Sequence, residues 1–351
     1  MSFVSGMVLI DAPHSALNMA GLDKGLEQNK VVVKKFKKGR NEYPYVSAQS
    51  WRFWWRTTLQ EHFDWKLSGL TKIEGRSQAI TETNPIDYPD DDIFGYMKAQ
   101  KDNQTVTRIS PLKTTPLVSI LPAYNSVVSD FGVFSRHEGN PVPYEQQFYS
   151  TVLKGAFSLD LNSLGKFTLM DRAGYKNIAT VGKNENDEGY KKLLEKAKEN
   201  GVKIEDNYWT LPNELRKTRA VETLKALKYL NGGAKQTLFL TDVVPKFIIL
   251  GIFEGGINPF ITDILFEEKG EIRLSKETLV SRIVQYEDIL KPKKIIIGKD
   301  KGFFPNWEQE LMKLNEEYNL DKSGLNIVYF DNIGDAIESC TNEVEKYYGS
   351  S

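Results

Sequence analysis

The residues of this chain best suited to chemistry are cations, glycines and polar donors rather than nucleophiles. From Lys30 to Gln60 the sequence carries Lys30, Lys34, Lys35, Lys37, Lys38, Arg40, Arg52 and Arg56 against one acid, Glu42, a local charge of +7 in a chain of net charge −1. Cations concentrated on one segment of a near-neutral protein suit a polyanion, a phosphate backbone above all. The run leads into SAQSWRFWWRTTL, where Ser47 is an N-cap candidate. Ser47, Gln49 and Ser50 thus stand beside the free N–H groups of a first helical turn, which bind phosphate oxygens. Arg52 and Arg56, one turn apart and off the apolar stripe, extend that surface. A lone arginine pair is ordinarily a solvated helix face, and the lysines upstream favour the phosphate reading.

Other candidates are weaker. His14, in a loop after the first apolar run, has the chemistry of a general base on a ribose hydroxyl. The chain holds only His14, His62 and His137, none at a telling spacing, so an ordered loop hydrogen bond is the plainer reading. Asp11 and the run Asp90-Asp91-Asp92 have the oxygens for Mg²⁺, but Asp91 and Asp92 precede an apolar pair as helix caps do, and capping or solvation is expected. No metal site is assigned. Gly232, Gly233 and Lys235, followed by Thr237, form a glycine turn suited to a nucleic-acid backbone; the alternative is a plain helix C-cap. Neither GxxxxGK[ST] nor GxGxxG is present, so nucleotide hydrolysis finds no support. Trp51, Trp54 and Trp55 fall at helical spacing and are assigned to the core. Base-stacking or wedge candidates are sought instead at Met170, Tyr175, Tyr208 and Trp209.

These residues need a scaffold. With 351 residues, 40% of them apolar, the chain has enough material for one elaborated domain or two smaller ones. Cys340 is the single cysteine, which excludes an internal disulfide and a paired-cysteine zinc site and fits a cytoplasmic setting. The N-terminus lacks a basic leader, and no apolar run reaches the ~20 residues of a membrane span, so a soluble chain without membrane contact is expected. Strands are predicted at Phe3 to Ile10, over VVVKKF as an edge strand, and at Leu117 to Leu121 and Thr151 to Leu161. A helix follows Ser47, burying Trp51, Trp54, Trp55, Thr58 and Leu59. The polar stretch 71–116, holding DDIFGYM, reads as an excursion outside the core, and 165–215, with a helix at Asn186 to Glu199, as a second. A helix at Glu214 to Leu230 stops at the glycine pair. Then strand (246–253), helix (275–290) and strand (293–298) signal a split βαβ unit, followed by a helix, a strand at Leu325 to Phe330 and a final helix.

HSALNMAG (His14 to Gly21), YPYVSAQSWRFWWR (Tyr43 to Arg56), DDIFGYM (Asp91 to Met97) and NGGAKQTLFLTDVVP (Asn231 to Pro245), in this order, resemble the CRISPR-associated autoregulator DevR family. That family comprises the repeated backbone subunits of type I, especially I-B, Cascade surveillance complexes. The family often reads Val-Ser-Gly-Gln-Ala-Trp where this chain has Val46-Ser47-Ala48-Gln49-Ser50-Trp51, and a second Asn where Met19 stands. The resemblance implies an α+β fold, a modified RRM or ferredoxin-like palm whose antiparallel sheet and helices carry inserted fingers and a thumb. On that plan, residues 1–70, 117–164 and 216–300 are palm, 71–116 fingers, 165–215 the thumb, and 301–351 a C-terminal extension; a shorter thumb at Lys235 to Lys246 is the alternative.

It also implies a non-catalytic protein without cofactor, polymerised with other copies of itself along a CRISPR RNA, with target DNA and other Cascade subunits as partners. His14 and Asn18 would join the RNA contacts of Lys34, Lys35, Lys37, Lys38, Arg40, Ser47, Gln49, Ser50, Arg52, Arg56, Gly232, Gly233 and Lys235. Two rivals stay open: an endoribonuclease using His14 or Asp11, like related type III backbone subunits, and a protein scaffold or transcriptional autoregulator.

Overall fold

The computed structural model describes residues 1–23, 29–72, 79–99, 105–136, 138–170, 172, 175–178 and 188–349. His137 and the first two residues of the helix expected at Asn186 lie outside them; the helix runs Glu188–Glu199. The elements that build the site are β1 (Ser2–Ser15), β2 (Lys35–Lys38), β3 (Asn41–Val46), α1 (Ala48–Phe63), α2 (Pro89–Phe94), β4 (Leu117–Ser119), β5 (Val127–Phe134) and β6 (Val142–Asp160). After them come α3 (Asn213–Lys225), β7 (Phe247–Glu254), α4 (Lys276–Gln285), β8 (Leu290–Lys299), β9 (Asn326–Phe330) and α5 (Ile333–Gly349).

The fold is mixed α+β around one large, mostly antiparallel sheet of order β9-β8-β7-β1-β6-β4-β3-β2. β1 lies at its centre, paired with β6 from Phe3↔Asp160 to Ala12↔Thr151 and with β7 from Ser2↔Glu254 to Leu9↔Phe247. Phe3 to Ile10 are all buried because both faces of β1 are covered, which is why the strand, interrupted only by Ser5 and Gly6, reads as a near-continuous apolar run rather than an alternating one. Val4, Val8 and Ile10 point into one cluster with Trp51, Trp55 and Leu59 of α1, Ala220 and Leu224 of α3, and Ile337 of α5. Met7 and Leu9 point into the opposite cluster with Leu279 and Ile283 of α4 and with Trp307. Pleat alternation thus distributes one strand between two cores.

The expected βαβ unit takes a different form. β7 and β8 are antiparallel neighbours, Phe247↔Lys299 to Phe253↔Leu290, because α4 packs on the second face and the chain re-enters beside β7 running the other way. β8 instead pairs in parallel with β9. Segment 71–116 is not wholly outside the core either: Ile93, Phe94 and Leu112 join the main cluster. A third, small cluster of Phe167, Ile178, Ala197, Trp209 and Leu211 organises the described part of 165–215. Residues 235–246 contain one helical turn, Gln236–Phe239, and no strand, so they form no hairpin. A hairpin stands elsewhere: β5 pairs with the first half of β6 from Val127↔Tyr149 to Phe134↔Val142. On it Phe131 is 69% and Phe134 60% exposed.

Candidate nucleic-acid interface

The first turn of α1 is built as its sequence predicts. Ser47 is extended (φ −64°, ψ 152°), its Oγ accepts the Ser50 N–H at 3.3 Å, and the Ser47 and Ser50 hydroxyls lie 2.8 Å apart. The tryptophan stripe anchors the helix. Trp51 Nε1 donates to Thr115 O at 2.8 Å and Trp55 Nε1 to Thr223 O at 2.7 Å. Buried indoles with satisfied N–H groups hold the helix in one orientation. Gln49 is left exposed at the open end.

Two distant loops converge on that end. A groove of about 570 Å³ is lined by Leu17 and Asn18, by Gln49, Ser50, Phe53 and Trp54, and by Asn231 to Ala234. The Ala234 N–H donates to Leu17 O at 3.1 Å and the Asn231 N–H to Thr58 Oγ1 at 3.2 Å, tying the glycine turn to the first loop and to α1. Gly232 (φ 152°) and Gly233 (φ 104°) are needed for close approach as well as for backbone conformation. A Cβ on Gly232 would lie 2.3 Å from Trp54 Cγ, and one on Gly233 2.4 Å from Leu17 Cδ2. The turn therefore presents bare backbone against the helix N-terminus, a setting suited to an anion. Gln236 Nε2 donates to Gly232 O and, at 3.2 Å, to Thr241 O, fixing the turn from behind. Asn18 is nearly buried, its Nδ2 donating to Tyr45 O at 3.5 Å.

The remaining sequence candidates fall in several places. Lys37, Lys38 and Arg40 are exposed on the β2–β3 hairpin. Strand alternation separates them: Lys38 shares a face with Phe36, while Lys35 pairs with Glu42 at 3.2 Å on the other. Lys34 N–H donates to Asn18 O at 2.9 Å, which joins this basic hairpin to the groove. Lys235, exposed and left-handed at φ 57°, follows the glycine turn without lining the groove. His14, also left-handed (φ 50°) and exposed, sits at the bulge where β1 and β6 slip register, its ring 6.4 Å from that of Phe148.

The two helix arginines depart from the solvated phosphate surface expected of them. Arg52 donates to Leu112 O, to Phe94 O at 2.9 Å and to Ser110 Oγ at 3.0 Å. Burial, with the nearby charge of Arg56, pushes its guanidinium down to about 10. Arg56 lies 3.5 Å from Asp90 Oδ2 and 4.6 Å over the Phe94 ring. Both side chains clamp α1 to the DDIF segment. The acids of that segment are likewise not solvated: Asp90, Asp91 and Asp92 are buried. Asp92 accepts from Arg108 Nη2 at 2.5 Å, Arg219 Nη1 at 2.8 Å and the Gly165 N–H at 3.0 Å. Ion pairing to residues 16 and 127 positions away leaves no local sequence signal.

Of the wedge candidates, Trp209 is 1% exposed in the small third cluster and has no free face to offer. Met170, Tyr175 and Tyr208 line a separate cleft. Two features were missed: Phe53, 61% exposed at the rim of the groove, and the β5–β6 hairpin. The hairpin's signal was available in VVSDFGVF, whose apolar residues have no polar-out partition and so promise exposure on either face. Asp11 is half-buried, and desolvation, only partly offset by Lys246, raises its carboxyl above the usual range. Among the described residues no cluster of three or more His, Cys, Asp or Glu side chains is placed to hold a metal ion, and no helix is long and apolar enough to cross a membrane.

Comparison with known proteins gives the site a context. No curated protein matches the chain. In structure it is similar to a chain described as "CRISPR RNA-guided surveillance complex, pre-nicking", with a TM-score of 0.56 at 12% identity, covering 97% of this chain and 100% of that one. A second, described as "CRISPR RNA-guided surveillance complex", aligns with a TM-score of 0.49 at 12% identity over 97% and 99% of the two chains. At such identity the first likeness speaks for the fold alone. The sequence model of the "CRISPR-associated negative auto-regulator DevR/Csa2" matches residues 15–271. That span takes in all three segments that build the groove and well over half of the molecule, and the chain belongs to the DevR/Csa2 family.

Proposed function

We propose that this protein is a non-catalytic guide-RNA-binding backbone subunit of a type I-B CRISPR surveillance complex, and that copies of it assemble along the guide and present its bases to target DNA. The observation that carries the reading is the groove: Asn18, Gln49 with Ser50, and Gly232 with Gly233 come from segments far apart in sequence and meet at the N-terminal end of α1. An RNA backbone laid there meets free N–H groups and amide donors, with the Lys37–Arg40 hairpin supplying charge at long range. The chain's resemblance in fold to a surveillance-complex component and its family membership support this reading.

The fold reading is a ferredoxin-like palm. The strand order β7-β1-β6-β4, with α1 following β1 and α3 following β6 on one face, is the order such a palm requires. Residues 71–116 would be the fingers and 301–351 an extension. The thumb is better assigned to the β5–β6 hairpin than to 165–215, because its exposed Phe131 and Phe134 are apolar surface awaiting a partner. Sequence reading would then be left to base pairing, with the protein gripping backbone.

Gln49→Glu tests the groove. An acid in the first turn favours the helix, so the fold should keep its melting temperature, while phosphate is repelled and RNA of any sequence binds roughly tenfold more weakly. Unaltered RNA affinity in this variant would remove the groove from the account.

A further inference from the structure

We infer that the molecule carries a second nucleotide site, in a cleft that shares no residue with the groove. The cleft, about 660 Å³, lies between the strand Leu112–Thr114, the small sheet of Lys166–Thr168 and Tyr208–Thr210, and the end of α5. Its size is within the ~300–1,000 Å³ typical of small-ligand sites.

Charge and rings point to the ligand class. Arg108, Lys113, Lys166 and Arg216 line the cleft against one acid, Asp160. The two arginines are committed to the fold. Arg108 is paired with Asp92, and Arg216 donates to the carbonyls of Leu161, Asn162 and Leu164 at 3.1, 3.0 and 2.8 Å. Asp160 is committed as well, accepting the N–H groups of Asn162 and Ser163 at 2.9 and 3.1 Å. Lys113 and Lys166 remain, both exposed and each held over an aromatic ring: Lys113 Nζ 5.5 Å from the Phe3 centroid, Lys166 Nζ 4.6 Å from that of Tyr208. Glu205 feels the charge of Lys166, but its direct ion pair is with Lys203 at 2.6 Å, so among the described residues neither cleft lysine is tied up in a contact ion pair of its own.

Tyr175, 40% exposed, and Tyr208 line the same cleft with Met170. Two free ammonium groups beside phenol rings and a thioether fit a nucleotide: phosphate between Lys113 and Lys166, base against the tyrosines. Inorganic phosphate alone would leave the rings unused, and an apolar ligand would leave the lysines unpaired. A free nucleotide and one unit of a single strand present the same chemistry.

Photolabelling of the full chain distinguishes these sources. One arm uses 8-azido-AMP, the other a short oligouridylate carrying 4-thiouridine, and peptide mass spectrometry locates the adducts. Adducts at Tyr175, Tyr208 or Met170 from the mononucleotide would identify a free-nucleotide site; adducts there from the oligonucleotide alone would identify a strand-binding site. In either case Lys113→Ala with Lys166→Ala, both solvent-facing, should lower labelling about tenfold while leaving adducts in the groove unchanged. Absence of cleft adducts with both probes, or labelling indifferent to the two lysines, would overturn the assignment.

Discussion

Gly232 backs directly onto Trp54: a Cβ at the glycine would fall 2.3 Å from the indole Cγ. The contact joins the glycine turn beyond α3 to α1, so the shape of the groove depends on a hydrogen atom standing where any side chain would collide. Trp54 has nowhere to retreat, since it is packed in the main core.

Gly232→Ala should therefore act on both fold and function. The collision and the unfavourable φ should lower stability by about 1–3 kcal/mol, measured by denaturant titration. RNA binding should fall further than unfolding explains, because the turn must move away from Gln49 and Ser50. Retained stability together with retained binding would show that the turn is not shaped by this contact.

Arg52 and the hairpin cations should separate cleanly. Arg52→Ala leaves the Phe94 and Leu112 carbonyls without their donor and should cost about 1–3 kcal/mol of stability, with the salt dependence of RNA binding unchanged. Replacing Lys37, Lys38 and Arg40 together by Ala should leave the melting temperature alone and flatten the salt slope by about 2.

Asp92→Asn addresses the motif whose acids the sequence placed at a helix cap. It strips the charge from a buried carboxylate facing two arginines and should destabilise by about 3–5 kcal/mol. Double-mutant analysis with Arg219→Met should recover part of that loss.

Lys154 predicts a pH effect. Its ammonium donates to Thr262 O at 2.6 Å, and burial lowers its pKa from 10.5 to about 8. Between these values the unfolded chain binds more protons than the folded one, so this group makes stability rise with pH through that window. Relative to Lys154→Met, the wild type should gain up to about 3 kcal/mol between pH 8 and 10.5. Parallel pH profiles would remove Lys154 as the cause.

Much of the frame was legible because its signals are local. The cap at Ser47, the tryptophan stripe and the apolar runs of β1, β7, β8 and β9 all appear where periodicity and capping chemistry put them. Three motifs, read separately as a loop, a helix N-terminus and a glycine turn, supply the groove. What composition concealed was pairing over long separations. An arginine off an apolar stripe looks solvated until Phe94 and Leu112 are folded against it, and three consecutive aspartates look like a cap until Arg108 and Arg219 arrive from elsewhere. Strand direction was hidden for the same reason: a helix between two strands does not say on which side the chain returns, and β7 and β8 proved antiparallel.

The central claim, that copies of this protein line up along RNA, is tested most directly by light scattering on a sizing column with unstructured RNAs of increasing length. The account predicts a mass that rises in steps of one subunit as the RNA lengthens, with the RNA recovered intact. A single copy bound at every length, or RNA shortened at intervals, would contradict it.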